Sequence, residues 1–168
     1  MLKANFITAQ EAAEKIQDGS TLCTIGMTLV SASESILKAI EKRFETVGHP
    51  ADITLVHSCG QSDRKDGIQH LAHEGLVKRI VGSHWGLQPR WMEMIANSQV
   101  EAYCLPQGQI AQLYRSMACG LPGKMSKVGL GTFIDPRVEG GKMNDRTKPL
   151  PDIVDILEYG GEEYMFYK

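Results

Sequence analysis

The chain has 168 residues, of which 18 are basic and 20 are acidic, so its formal net charge near pH 7 is −2. This length suits a single domain with an ordinary core, and the balanced charge excludes a broad cationic surface for nucleic acid or an anionic membrane. Charged residues at Lys3, Glu11, Glu14 and Lys15 exclude a signal peptide or membrane span at the amino terminus. We therefore expect a cytoplasmic protein that binds neither nucleic acid nor membrane.

The amino-terminal part of the chain predicts a helix, a strand and a second helix. Thr8 and Glu11 have the spacing of a capping box and precede an apolar stripe of helical period, which predicts a first helix. The apolar, β-branched run at 21–25 predicts a buried strand that ends at Gly26. A second apolar stripe of helical period then begins after Ser33.

The alternation of strands and helices continues along the chain. The further predicted elements are a strand at 53–57, a short helix at 68–72, a strand at 79–81, a helix at 91–95, a strand at 100–103 and a helix at 110–117. Such alternation predicts an α/β fold with an open, mostly parallel sheet and helices on both faces.

The carboxyl-terminal segment has a different pattern. Two strand-like runs, 153–157 and 163–167, flank Gly160-Gly161, which is a two-residue hairpin signal. The second run nearly reaches the last residue, Lys168. We expect residues 1–168 to be one domain with a carboxyl-terminal β-hairpin, cut from a longer protein.

The sequence also offers weak signals for metal, redox and nucleotide sites. The cysteines form no Cys-x-x-Cys pair, which argues against zinc and redox motifs and favours reduced, buried thiols. They are Cys23, Cys59, Cys104 and Cys119. His70 and His73 lack the spacing of a His-Glu-x-x-His motif, so polar packing is favoured over a metal site. Gly123-Lys124 lacks the following serine or threonine of a phosphate-binding loop, because Met125 stands there.

Gln107 is the strongest candidate for chemistry. It lies in Pro106-Gln107-Gly108, which we predict to be a turn between a strand and a helix. Ligands of open α/β sheets bind at the carboxyl ends of strands, and a neutral amide can donate to a developing oxyanion without titrating. A glutamine that merely stabilises the turn is the alternative.

Four segments together resemble the family I CoA-transferases, most closely those acting on propionate or other short-chain acyl groups. They are 73–79, 84–86, 103–115 and 128–137. The resemblance covers nearly the whole chain and implies the fold described above. It implies a pocket for acyl-CoA and carboxylate substrates, with CoA as substrate and no metal or other cofactor. The residues that it assigns to the pocket lining are Gly26, Gln107, Gly108, Gly131 and Thr132.

The resemblance also implies which part of the enzyme is present. In this family a glutamate attacks acyl-CoA and becomes a glutamyl-CoA thioester. Its motif, Ser-Glu-Asn-Gly or Ala-Glu-Ser-Gly, is absent here, and Glu101, Glu139 and Glu158 lie in other contexts. The chain is therefore expected to be an amino-terminal portion without a catalytic residue of its own. It would be inactive alone, and its partner would be a carboxyl-terminal half or β subunit.

Two further expectations concern assembly and an alternative function. Exposed apolar surface at Trp85, Trp91 and the carboxyl-terminal hairpin predicts a homo-oligomer. The alternative function is a non-catalytic ligand-binding or assembly module of the same fold, which also serves sugar-phosphate isomerases and effector-sensing domains. A phosphosugar site would place several Lys or Arg at the strand ends, where Gly26, Gln107 and Gly131 stand instead.

Overall fold

Four parallel strands form the central sheet. In this computed structural model, which describes residues 4–168, they lie side by side in chain order. They are β1 (Thr21–Thr24), β2 (Ile53–His57), β3 (Val77–Gly82) and β4 (Glu101–Cys104). Their register places Leu22, Leu55, Ile80 and Ala102 in one row across the sheet. The carboxyl ends of all four strands consequently meet at one edge.

One face of this sheet is covered by helices from the first two-thirds of the chain. These are α1 (Ala9–Glu14), α2 (Glu34–Val47), a 3-10 helix (Gly67–Leu71) and α3 (Pro89–Ala96). Right-handed crossovers between strands that are adjacent and in chain order place successive helices on the same face. Their buried side chains, such as Ile40 and Trp91, pack with Leu55 and Ile80 in one core cluster.

The opposite face is covered by α4 (Gln107–Ala118) and a small antiparallel sheet. That sheet contains β5 (Lys124–Ser126), β6 (Val154–Tyr159) and β7 (Glu162–Tyr167), in the order β5-β7-β6. Ile110 of α4 shares a second core cluster with Tyr103 of the central sheet and Tyr167 of β7. The predicted α/β fold and its carboxyl-terminal hairpin are therefore confirmed.

The helix boundaries follow the capping signals of the sequence. Thr8 and Glu11 form the reciprocal bonds of a capping box at the start of α1. Helix α2 ends at Gly48, which has a φ of 75° in the left-handed region that favours glycine. None of the helices in the described chain combines the length and the apolar run that crossing a bilayer needs.

Two local predictions at the sheet and its connections were wrong, and one strand was missed. The Pro-Gln-Gly segment is not a free turn, because Pro106 is the N-cap and Gln107 and Gly108 form the first turn of α4. Strand β1 is not buried: it is an edge strand with alternately exposed and half-buried residues. Strand β5 was not predicted, because three residues are too few to show a strand's alternation.

The burial predictions for cysteine and tryptophan were also wrong. None of the four thiols is buried, because Cys23 and Cys119 are exposed and Cys59 and Cys104 lie at the partly open edge of the sheet. All four are free. Trp91 is fully buried and Trp85 is 9 % exposed, so neither supplies apolar surface for self-association.

Candidate functional site

The first turn of α4 presents unpaired polar groups at the carboxyl end of β4. The side chain of Gln107 is exposed and, within the described residues, forms no hydrogen bond. The backbone N–H groups of Gln107 and Gly108 lie in the first helical turn, where no intrahelical acceptor exists. A Cβ at Gly108 would meet no atom within 4 Å. These three neighbouring donors, the Gln107 side-chain amide and the two backbone N–H groups, can therefore bind an oxyanion or a carboxylate.

On the β1 side of the sheet, the carboxyl end of the strand is held by hydrogen bonds to one carbonyl. The backbone oxygen of Thr24, the last residue of β1, accepts from the Nε2 of Gln61 at 2.8 Å and from the hydroxyl of Tyr114 at 3.5 Å. Tyr114 belongs to α4, so this helix runs from the end of β4 across to the end of β1. Burial raises the pKa of Tyr114 to about 12, which keeps the hydroxyl protonated and able to donate.

Gly26 lies in a tight loop immediately after β1. Its φ is 137°, and a Cβ there would stand 2.8 Å from the backbone oxygen of Val30. Met27 and Val30 exchange backbone hydrogen bonds, and the N–H of Thr28 donates to the carbonyl of Gly60 at 2.8 Å. The loop therefore needs glycine for its own shape and is held against the segment that follows β2.

Gly131 and Thr132 belong to a turn that is organised by Asp135. The N–H of Gly131 donates to Asp135 Oδ2 at 2.9 Å, and the Thr132 hydroxyl donates to the carbonyl of Gly129 at 2.7 Å. Arg137 donates to both oxygens of the buried Asp135 carboxylate. These Arg137 bonds hold the pKa of Asp135 well below its usual range, so the turn is ordered by a permanent anion.

The predicted site residues share one side of the sheet without forming a single cluster. Gly26 follows β1 and Gln107 follows β4, which are separated by three strand spacings, about 14 Å. Gly131 is ten residues before Gly141, whose carbonyl accepts from the N–H of Cys104 at the end of β4. This hydrogen bond holds the segment that follows Gly131 on the β4 side of the sheet. Among the residues that the structure describes, no hydrogen bond joins Gly26, Gln107 and Gly131 directly.

Buried polar residues behind this edge were not found from the sequence. His57 is fully buried at the end of β2, and its Nδ1 is 2.7 Å from the carbonyl of Cys59. Burial lowers the pKa of His57 to about 4, so the ring is neutral and its Nδ1–H donates to that carbonyl. A Cβ at Gly82 would collide with the His57 ring. The signal that the sequence offered was a histidine at the end of a predicted strand.

Two groups of histidine and carboxylate side chains are close enough to share a cation. The first contains Glu34, Asp66 and His70, and the second contains Glu41, Glu45 and His73. In the first group, the Lys38 ammonium already lies 3.0 Å from Glu34 and 3.3 Å from Asp66. His70 bonds Glu34 and Glu41 of α2, which is the polar packing role predicted for it.

The three glutamates without a family motif occupy structural positions or the surface. Glu101 is 6 % exposed and pairs with the Nε of Arg79 at 2.7 Å. Glu139 and Glu158 are exposed. Glu101 is at the amino end of β4, and Glu158 belongs to β6 of the small antiparallel sheet.

Comparison with known protein families decides the relationship. The Coenzyme A transferase family model matches residues 6–168. The chain belongs to the Coenzyme A transferase family. Caffeate CoA-transferase of Acetobacterium woodii is 43 % identical over 98 % of this chain and 31 % of its own length. Acetate CoA-transferase YdiF of Escherichia coli K12 is 37 % identical over 96 % of this chain and 30 % of its own length.

Solved CoA-transferase structures agree with this assignment. A thioester complex of the acyl-CoA transferase YdiF from E. coli O157:H7 with CoA superposes with a TM-score of 0.89 at 36 % identity, covering 96 % of this chain and 31 % of that one. Glutaconate CoA-transferase of Acidaminococcus fermentans, at 17 % identity and a TM-score of 0.66, shares the fold. The chain thus spans about 30 % of the length of caffeate CoA-transferase and of YdiF, and corresponds to their amino-terminal portion.

Proposed function

We propose that this chain forms one wall of a CoA-transferase active site, which moves CoA between a short-chain acyl-CoA and a free carboxylic acid. The reacting glutamate lies outside these residues, and the chain alone is inactive. Family membership over residues 6–168 supports the reaction class. One relative is named for acetate and another for caffeate. The free carboxylic acid that accepts CoA is therefore proposed to be a short-chain or an aromatic acid.

The unpaired donors at the start of α4 carry this proposal. Formation of an acyl-glutamyl anhydride and of a glutamyl-CoA thioester each passes through a tetrahedral oxyanion. The Gln107 amide and the N–H groups of Gln107 and Gly108 would stabilise that charge, because they have no partners among the described residues. Gly108 leaves open space in front of them. Gly26, Gly131 and Thr132 are proposed as further lining residues.

Exposed apolar side chains beside Gly26 support a partner at this edge. Ile25, Met27 and Val30 are 65 %, 61 % and 68 % exposed, and β1 is an edge strand that pairs only with β2 among the described strands. We propose that the carboxyl-terminal portion or a β subunit covers this surface and supplies the glutamate, and that the assembly is a cytoplasmic homo-oligomer. Unpaired strand edges and apolar loops of this kind are normally covered in native proteins.

A substitution at Gln107 tests the proposed site in the full-length enzyme or in a mixture with the complementary half. Gln107→Ala should lower kcat for propionyl-CoA:acetate exchange by about 10²-fold or more, as loss of one oxyanion donor does elsewhere. Its effect on the KM for propionyl-CoA should be small, because the bond strengthens only in the transition state.

Gln112→Ala is the matched control, because Gln112 is exposed on the same helix and lies more than a turn away from Gln107. This variant should keep the kcat of the unmodified protein. A kcat unchanged in Gln107→Ala, or equally lowered in both variants, would remove Gln107 from the site.

A further inference from the structure

A small, partly open cavity lies between the edge strand β1 and helix α2. Its volume is about 210 Å³. Apolar side chains form most of its wall: Leu22, Ile25, Ile36, Leu37 and Ile40. The remaining lining residues are Cys23, Thr24, Ser33 and Gln61, of which Thr24 ends β1. An apolar cavity of about 150 Å³ can already hold a benzene molecule, so this one can hold the body of a small organic ligand.

Two buried polar atoms in this wall lack partners. Gln61 is fully buried, and its Nε2 donates to the Thr24 carbonyl, which leaves Oε1 as a free acceptor. Neither Gln61 Oε1 nor the Thr24 hydroxyl has a hydrogen-bond partner within the described part of the chain. A buried acceptor without a donor is costly, so a ligand that carries a donor would be favoured here.

The lining also determines which end of a ligand enters. Of the described residues that line the cavity, none is a lysine or an arginine. A carboxylate inside it would lose its hydration without gaining a counter-charge. The carboxylate of an acid must therefore remain outside, and Ile25 at the rim is adjacent to Gly26 of the proposed site.

From these observations we infer that the cavity between β1 and α2 binds the apolar body of the carboxylic acid substrate, with a hydroxyl or similar donor of that body bonded to Gln61 Oε1. The preferred acid then has a body of about the size of a phenyl ring and bears a donor at its far end. This identity of the ligand rests on the proposed CoA-transferase function, whereas binding to the cavity can be measured separately.

Binding is tested with 3-(4-hydroxyphenyl)propionate as the probe and methyl NMR of the 168-residue chain as the readout. The methyl resonances of Ile25, Ile36 and Ile40 should shift on titration, whereas those of Ile110 and Ile134 in the other core cluster should not. The analogue without the hydroxyl, 3-phenylpropionate, should bind about tenfold more weakly, which is the effect of losing one good hydrogen bond.

Two substitutions locate the effect. Ile36→Phe fills the cavity and should abolish the shifts, whereas Val47→Phe should not, because Val47 is on the same helix but outside the cavity. Gln61→Met, of similar size, should keep binding of 3-phenylpropionate and lose the tenfold preference for the hydroxylated probe. The methyl spectrum without probe reports whether each variant is folded, so Gln61→Met decides the matter if Ile36→Phe does not fold.

Several results would overturn the inference. They are no shift at Ile25, Ile36 and Ile40 up to about 10 mM probe, shifts confined to the other core cluster, or a preference for the hydroxyl that survives Gln61→Met. Loss of binding when the carboxyl-terminal half is added would also overturn it, because that half would then fill the cavity. If CoA exchange with acetate occurs without these shifts, the proposed function stands without this inference. If the shifts occur without CoA exchange, the cavity is a binding site alone.

Discussion

The imidazole of His57 stands edge-on against the indole of Trp85, with ring centroids 5.0 Å apart and an interplanar angle of 86°. His57 ends β2, and Trp85 lies in the segment after β3, so the pair joins the two loops behind the site. The contact is made by a neutral, fully buried ring. It is therefore sensitive to protonation of His57.

His57 should make the protein less stable in mild acid. Its pKa is about 4 in the folded protein and about 6.5 when unfolded, so the unfolded state takes up the proton first as pH falls. The stabilisation is complete above pH 6.5 and decreases toward pH 4. Between pH 6.5 and 5 the free energy of unfolding should fall by about 2 kcal/mol from this group. Urea unfolding of His57→Gln across this range should show a smaller decrease; an unchanged pH slope would contradict the assignment.

His70 should have the opposite effect on the pH dependence of stability. Burial alone would lower its pKa, but the hydrogen bonds that its ring donates to the carboxylates of Glu41 at 2.5 Å and Glu34 at 2.8 Å outweigh burial and raise it. The stabilisation is present below the unfolded pKa and is lost as pH rises through the higher folded one. NMR titration of the His70 ring should give a pKa above that of a model peptide. A value at or below it would show that the carboxylates do not control the ring.

Gly82→Ala should destabilise the protein because the added methyl would collide with the His57 ring. The expected loss in the free energy of unfolding is about 1–3 kcal/mol, which is typical of overpacking. Gly108→Ala is the matched control, since its methyl would meet nothing within 4 Å, and it should change stability by no more than about 1 kcal/mol. Equal effects of the two substitutions in urea unfolding would show that space around His57 is not limiting.

Asp135→Asn should loosen the turn that carries Gly131 and Thr132. The substitution removes the charge bonded to Arg137 and to the N–H of Gly131, at an expected cost of about 1–3 kcal/mol. Hydrogen exchange at residues 129–133 should accelerate. Asp145→Asn, at an exposed ion pair, should leave that exchange unchanged. Slow exchange in Asp135→Asn would mean that the turn is ordered without this carboxylate.

The fold was predictable because its signals are local. Strand β2 is a run of apolar and β-branched residues, Thr8 and Glu11 mark the start of α1, and Gly160-Gly161 marks the hairpin. These features depend on neighbours within a few residues along the chain. By contrast, the predicted exposure of Trp91 was wrong because Trp91 packs in a core formed by residues distant in sequence, where its indole N–H donates to the carbonyl of Ile68, 23 residues away.

The candidate site was only partly predictable. Gln107 could be selected from its position after a strand, although it begins a helix rather than a turn. Gln61 could not be selected, because its role comes from the loop after β2 folding back onto the carbonyl of Thr24. No spacing in the sequence reports that contact. The assignments of Gly26, Gly108, Gly131 and Thr132 to the pocket stay predictions.

The most direct test of the central proposal is propionyl-CoA:acetate exchange, measured with labelled acetate. The purified chain is assayed alone, then with a separately expressed carboxyl-terminal half that carries the glutamate motif, and finally with that half bearing Gln in place of the glutamate. We predict exchange only in the mixture whose carboxyl-terminal half retains the glutamate. Exchange by the chain alone, lost on substitution of one of its own glutamates, would contradict the account.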